Sequence, residues 1–239
     1  RLVAAGHRCI APDHIGFGRS DKVVDDDWYV IERHCECLRH VIETLGLRDA
    51  ALIVQDWGGP IGLRQAVDLP ERFTRIAILN TWLHHEGFPY SPAVRGWREA
   101  ALDPAKLGGD LPCGRLVAGP APRPRDDRAP GPALYDAPFP DARFKAGARR
   151  FPWCLPFAEP EAGNAAEQER CFRALPRLGK PIHVAFGDAD PIFPWEWAER
   201  WAEALPGATL DRIAGAGHFV QQDAPDDLAE ILLRRLAGG

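Results

Sequence analysis

Asp56 sits in the run Val54-Gln55-Asp56-Trp57-Gly58-Gly59, after an apolar stretch over 50–54 that reads as a buried strand and before a helix-like stretch over 60–67. A residue on the sharp turn between such a strand and helix stands at the strand's carboxyl end, where open α/β sheets bind ligands. A carboxylate there is ionised at neutral pH with no base to activate it. That suits attack on saturated carbon, leaving an ester that water can then cleave. An aspartate that merely caps the next helix would give the same short string, so the reading needs partners.

Two partners stand near the C-terminus. Residues 181–186 read as a strand and run into Gly187-Asp188-Ala189-Asp190-Pro191; residues 209–213 read as another and run into Ala216-Gly217-His218-Phe219. Nucleophile, acid and histidine in that chain order is the order of the α/β-hydrolase fold. The acid must reach the imidazole nitrogen that faces away from the nucleophile, and spacing leaves Asp188 and Asp190 both open. His7, His34, His40 and His183 fall in expected elements, where a packed or surface histidine suffices. His84 and His85 follow a strand but lack a partner.

The elements that must hold these residues alternate along 7–80. Strands are expected near 8–12, 50–55 and 74–80, and helices near 29–45 and 60–69, with Gly46 suited to the first helix's C-terminus. From about 81 to 178 no strand-like run occurs; from 180 to 239 the pattern returns to strand, helix, strand, helix. The chain therefore divides into an α/β core, 1–80 with 179–239, and a mostly helical insertion, 81–178. Residues 119–140 hold seven prolines with Arg123, Arg125, Asp126, Asp127 and Arg128 and are expected as loop. Trp197 and Trp201 share one face of a helix, and packing is the expected role.

Composition excludes several classes. Of 239 residues, 46% are hydrophobic and 26% charged, with a net charge of −5, so no basic face for nucleic acid or anionic membrane is expected. No apolar stretch approaches the ~20 residues of a membrane span, and the opening residues do not read as a signal peptide. Six cysteines without a C-x-x-C pair fit free thiols in a reducing cytoplasm.

Longer matches narrow the reading. The chain resembles the haloalkane dehalogenases, in particular their first subfamily, over nearly its whole length. The resemblance rests on A-G-H-R-C-I-A-P-D-H-I-G-F-G-R-S-D-K at 5–22, V-Q-D-W-G-G-P-I-G-L-R at 54–64 and A-I-L-N at 77–80. It continues through Y-D-A-P-F-P-D-A-R-F-K-A-G-A-R-R-F-P at 135–152, G-D-A-D at 187–190 and A-G-H-F-V-Q at 216–221. G-F-G-R-S-D is shared by many α/β hydrolases. Q-D-W-G-G together with Y-D-A-P-F-P-D is specific.

Carried over by position, the resemblance implies Asp56 as nucleophile, His218 as base and Asp190 as acid. A sister subfamily places its acid after the strand that here ends at Asn80, and asparagine there favours Asp190. It also implies a halide held by two indole N–H groups, Trp57 and, by a looser match, Trp97. Indole is a donor only and offers an anion no lone pair. Trp153 either reshapes the pocket or packs. Pro60, Phe151, Pro152, Leu155, Ile192 and Phe219 are the expected apolar pocket residues. The insertion becomes a cap, and no metal, nucleotide or organic cofactor is required. The expected partners are a small haloalkane, water and halide, with no nucleic acid or membrane, for a cytoplasmic monomer.

An epoxide hydrolase would use the same Asp, Asp and His but needs cap tyrosines, and the chain has only Tyr29, Tyr90 and Tyr135. A non-catalytic fragment or binding protein of the same fold is the other alternative. The chain contains no Met, and the resemblance matches residues 8–11 to the family's fourth strand. An N-terminally truncated sequence is therefore expected, with the first three strands absent, the sheet edge uncovered and one oxyanion-hole donor missing.

Overall fold

The computed structural model describes residues 1–119, 121–125 and 129–236; Asp126, Asp127 and Arg128 of the expected loop lie outside them. Strands β1 (Ala50–Val54), β2 (Phe73–Leu79), β3 (Ile182–Gly187) and β4 (Thr209–Ile213) form a parallel sheet in that order. Because all four run the same way, their carboxyl ends share one rim. In register, Val54 faces Ile78, Leu79 faces Ala185 and Gly187 faces Ile213.

Helices α1 (Ile31–Thr44) and α2 (Arg64–Asp68) precede β2. The segment between β2 and β3 carries α3 (Pro92–Leu102), α4 (Cys113–Ala118), α5 (Pro132–Asp136), α6 (Ala146–Trp153) and α7 (Ala165–Ala174). Helix α8 (Trp195–Ala204) joins β3 to β4, and α9 (Val220–Asp223) and α10 (Pro225–Leu236) follow.

Alternation along β2 and β3 builds two cores. Ile76, Ile78, Val184 and Phe186 face Leu63, Ala66, Trp197 and Trp201 on one side of the sheet. Ala77, Leu79 and Ala185 face Val220, Leu228 and Leu232 on the other. Strands buried on both faces read as continuous apolar runs, as parallel sheets require. Trp197 and Trp201 are each 4% exposed, so the tryptophan face of α8 packs. Arg75 of β2 donates to the carbonyls of Arg235 and Leu236 at 3.1 and 2.8 Å, satisfying the open end of α10.

Three expectations differ. Residues 8–12 form no strand: Arg8, Cys9, Ile10 and Ala11 are exposed coil. A strand exists through its ladder partners, and among the described residues none pairs with this segment, while β1 is itself an edge of the sheet. The helix expected over 60–69 opens instead with a π-helical turn, Gly59–Leu63, before the short α2. Within 119–140, α5 is ordered helix where loop was expected.

Candidate active site

The turn after β1 places Asp56 in the left-handed region, at φ 50°. This backbone conformation is uncommon outside glycine and tolerated by aspartate. Neighbours fix it. The Asp56 N–H donates to the Asn80 carbonyl at 2.9 Å, and the Thr81 hydroxyl donates to the Asp56 carbonyl. A Cβ on Gly59 would run into Thr81 and stand 2.9 Å from the Trp82 carbonyl, and one on Gly62 would stand 2.6 Å from Val54 Cγ1. Gly58 has room for a side chain, with Val54 Cβ at 3.7 Å. The close approach of helix to strand therefore depends on Gly59 and Gly62.

The rim brings Asp56, Asp190 and His218 together. His218 Nδ1 lies 3.0 Å from Asp190 Oδ2 and Nε2 lies 3.5 Å from Asp56 Oδ1. The Asp190 side chain is 0% exposed. Its Oδ1 accepts the backbone N–H groups of Ile192 at 2.7 Å and Phe193 at 3.1 Å, and its Oδ2 also accepts the Asn80 amide at 2.8 Å. A buried carboxylate is tolerable when its lone pairs are filled in this way. Asp188, which spacing left open, instead accepts the Gly215 N–H at 2.7 Å and faces Arg212.

Phe193 and Phe219 flank the His218 imidazole, with ring centroids 5.1 and 4.9 Å away. Burial alone would push this imidazole's pKa down. Hydrogen bonds and charge from Asp190 and Asp56 outweigh burial and hold it up at about 10. The resting imidazole is therefore charged at neutral pH.

These groups open onto a cavity of about 980 Å³, whose wall includes Trp57, Trp97, Phe151, Pro152, Leu155, Ile192 and Phe219. Trp57 stacks on Phe151, centroids 5.2 Å apart, and meets Trp82 edge-on at 4.8 Å. Both expected indoles thus border one cavity, Trp97 delivered by α3. Pro60 does not border it. Pro60 is buried where the π-helical turn packs on α1, and its carbonyl faces the Cys35 thiol. Trp153 packs as well, with the Arg150 guanidinium 3.2 Å from its ring centroid.

The wall holds residues that sequence reasoning did not assign: Phe17, Trp82, Arg125, Phe139 and Asp223. Phe17 belongs to the G-F-G-R-S-D segment, whose commonness hid it. Asp223 lies within two residues of the A-G-H-F-V-Q match, and that nearness was the available signal. His34, by contrast, is enclosed by Tyr29 and Phe151 rings, and burial lowers its pKa to about 3. All six cysteines are free, and no helix among the described residues is long and apolar enough to cross a membrane.

Known proteins resemble the chain as a whole. The α/β-hydrolase fold family matches residues 1–103. A haloalkane dehalogenase of Mycolicibacterium paratuberculosis is 38% identical, over 97% of this chain and 75% of its own length. One from Psychrobacter cryohalolentis is 33% identical, over 98% and 75%. The tetrameric structure of the haloalkane dehalogenase DpaA from Paraglaciecola agarilytica NO2 superposes with a TM-score of 0.86 at 31% identity, covering 100% of this chain and 76% of that one. The chain belongs to the haloalkane dehalogenases, hydrolases of carbon–halide bonds built on the α/β-hydrolase fold.

Proposed function

We propose that Asp56 is the nucleophile, His218 the base and Asp190 the acid of a hydrolytic dehalogenation, with Trp57 and Trp97 holding the departing halide. The observation that carries this reading is the Asp56 carboxylate, 3.5 Å from His218 Nε2 and opening onto an apolar cavity that both indoles border. An Asp56 oxygen attacks the halogen-bearing carbon in line, and the carbon–halogen electron pair leaves as halide. Two N–H donors facing a desolvated anion stabilise it where water cannot.

Esterification then changes the electrostatics. It removes one of the two anions that hold the His218 pKa at about 10, so the imidazole can give up its proton and act as base. His218 Nε2 takes a proton from water, and the hydroxide formed adds to the Asp56 carbonyl carbon, its oxyanion facing the backbone N–H of Trp57. Collapse expels the alcohol, which takes that proton from the imidazolium, and the carboxylic acid left on Asp56 passes its own proton to His218, restoring the resting pair. Asp190 holds the tautomer and supports the charge. No step calls for a group beyond these side chains and water.

Residues 81–178 act in this reading as a cap on a core of 1–80 and 179–239. The substrate is a small halogenated alkane, and the protein a cytoplasmic monomer. Sedimentation as a 26.4 kDa species tests the assembly. Epoxide hydrolysis fits less well. It wants a pair of cavity tyrosines, and Tyr135 alone borders the cavity, its hydroxyl donating to Gln222 at 2.6 Å. Tyr29 instead donates to the Val23 carbonyl at 2.8 Å. The decisive assay is bromide release from 1,2-dibromoethane, present in the protein and abolished in Asp56→Ala. Turnover of an epoxide without bromide release from the bromoalkane would overturn the reading.

A further inference from the structure

Asp223 ends α9, five residues after His218, and its side chain is 2% exposed. Its two oxygens face different parts of the chain. Oδ2 accepts the backbone N–H of Gly217, the residue immediately before His218, at 2.9 Å. Oδ1 accepts Arg125 Nε, from the insertion, at 2.7 Å. Arg125 is itself 14% exposed and donates through a second nitrogen to the Gly119 carbonyl at 3.0 Å. Pro122 closes on the same peptide: a Cβ at Gly217 would stand 2.8 Å from Asp223 Oδ2 and 3.0 Å from Pro122 Cδ. Two further contacts fasten this part of the insertion to the segment after His218. Tyr135 donates to Gln222, and Gln222 donates to the Pro130 carbonyl at 3.3 Å.

None of the chemistry assigned to Asp56, Asp190 and His218 uses this carboxylate. A buried anion is held in place only while its charge and lone pairs are matched. Here one partner is the loop that carries the base and the other is a cation from the insertion.

We propose that Asp223 is a positioning residue for His218, and that Arg125 keeps it in place, so that the insertion's grip on the cavity wall sets the orientation of the base. This rests on the reading of Asp56 as nucleophile and His218 as base. Without Arg125, the buried Asp223 carboxylate loses its matching cation and turns outward, and the Gly217 N–H loses its acceptor. Asp56 is anchored separately, through Asn80 and Thr81. The two half-reactions therefore respond differently: halide displacement needs Asp56, while ester hydrolysis also needs His218 aimed at water.

The test is a single turnover of 1-bromohexane by the wild-type protein and by Arg125→Ala, Arg125→Gln, Arg125→Lys and Asp223→Asn, with bromide and the Asp56 ester followed together. In Arg125→Ala and Arg125→Gln the bromide burst is expected to remain. Ester decay is expected to slow by roughly 10–100-fold, the scale set by small misplacements of a reacting group. Arg125→Lys restores most of the decay rate, and Asp223→Asn, which keeps an acceptor but loses the charge, falls between. Burst and decay falling in parallel with melting temperature would reduce the pair to a structural tie, and unchanged decay would remove the coupling; either overturns the proposal. His218→Phe serves as the separate check on the underlying reading. If it traps no ester on Asp56, that reading fails first, and the behaviour of Arg125 is not the cause.

Discussion

Asn80 and His218 share one acceptor: the Asn80 amide donates to Asp190 Oδ2 at 2.8 Å, and His218 Nδ1 lies 3.0 Å from the same oxygen. Asn80 also accepts the Gly187 N–H at 2.9 Å and is 0% exposed. One side chain at the end of β2 thus joins the turn after β3 to the imidazole. Asn80→Ala is expected to destabilise the protein by about 1.5–3 kcal/mol, the range for a lost hydrogen bond to a charged group. It should also slow ester hydrolysis more than halide release. Thermal unfolding and single-turnover kinetics of the variant check both.

His218→Phe removes the proposed base and leaves Asp56 intact. One equivalent of bromide is expected per protein, followed by arrest with one alkyl group on the peptide holding Asp56, visible by mass spectrometry. Asp56→Ala should give neither burst nor adduct. A full bromide burst with an unmodified peptide would take the nucleophile's role away from Asp56.

Trp57 and Trp97 reach the cavity from different elements, the turn after β1 and helix α3. Trp57→Phe and Trp97→Phe are each expected to weaken bromide binding by about 1.5–3 kcal/mol, the loss of one charge-assisted hydrogen bond. Quenching of tryptophan fluorescence by bromide gives the dissociation constant. An unchanged constant in Trp97→Phe would remove that residue from the halide site.

The His218 imidazole, held at about 10 by Asp190 and Asp56, should titrate at two different places in the cycle. In the resting protein an NMR titration is expected to find it near 10. The pH profile of ester decay should report a lower value, because the ester has removed the Asp56 charge. Equal values in both experiments would show that esterification does not switch the base.

The same shift links pH to stability. The folded pKa of about 10 stands above the ordinary 6.5, so the folded state binds the proton more tightly. The stabilisation is complete below about pH 6.5 and is lost as pH rises through the folded pKa. Melting temperatures measured from pH 6 to 10 should fall more steeply in the wild type than in His218→Phe. Parallel curves would contradict the charged resting imidazole.

Gly59→Ala should cost about 1–3 kcal/mol through overpacking, since its Cβ would meet Thr81 and the Trp82 carbonyl. Because Thr81 also holds the Asp56 carbonyl, turnover should fall with stability. Gly58→Ala, with open space, should change either little. Comparing the two by melting temperature and bromide release separates the crowded glycine from the free one.

The residue types in order along the chain determined much of this protein. Apolar runs bounded by turns located β1 to β4, and an Asp, an Asp and a His following three of them named the residues that the rim assembles. This was legible because parallel strands put all their carboxyl ends on one side, so sequence position after a strand becomes spatial position. Other features depended on tertiary packing. Residues 8–12 carry a strand-like run but pair with nothing described, since a strand's hydrogen bonds belong to its neighbours. Pro60 is apolar and adjacent to the site, yet the turn buries it against α1. Asp188 and Asp190 are two residues apart, and only the backbone path after β3 decides which one meets His218. The tie from Arg125 through Asp223 to the His218 loop joins residues about a hundred positions apart, and no local pattern in a sequence encodes a contact of that separation.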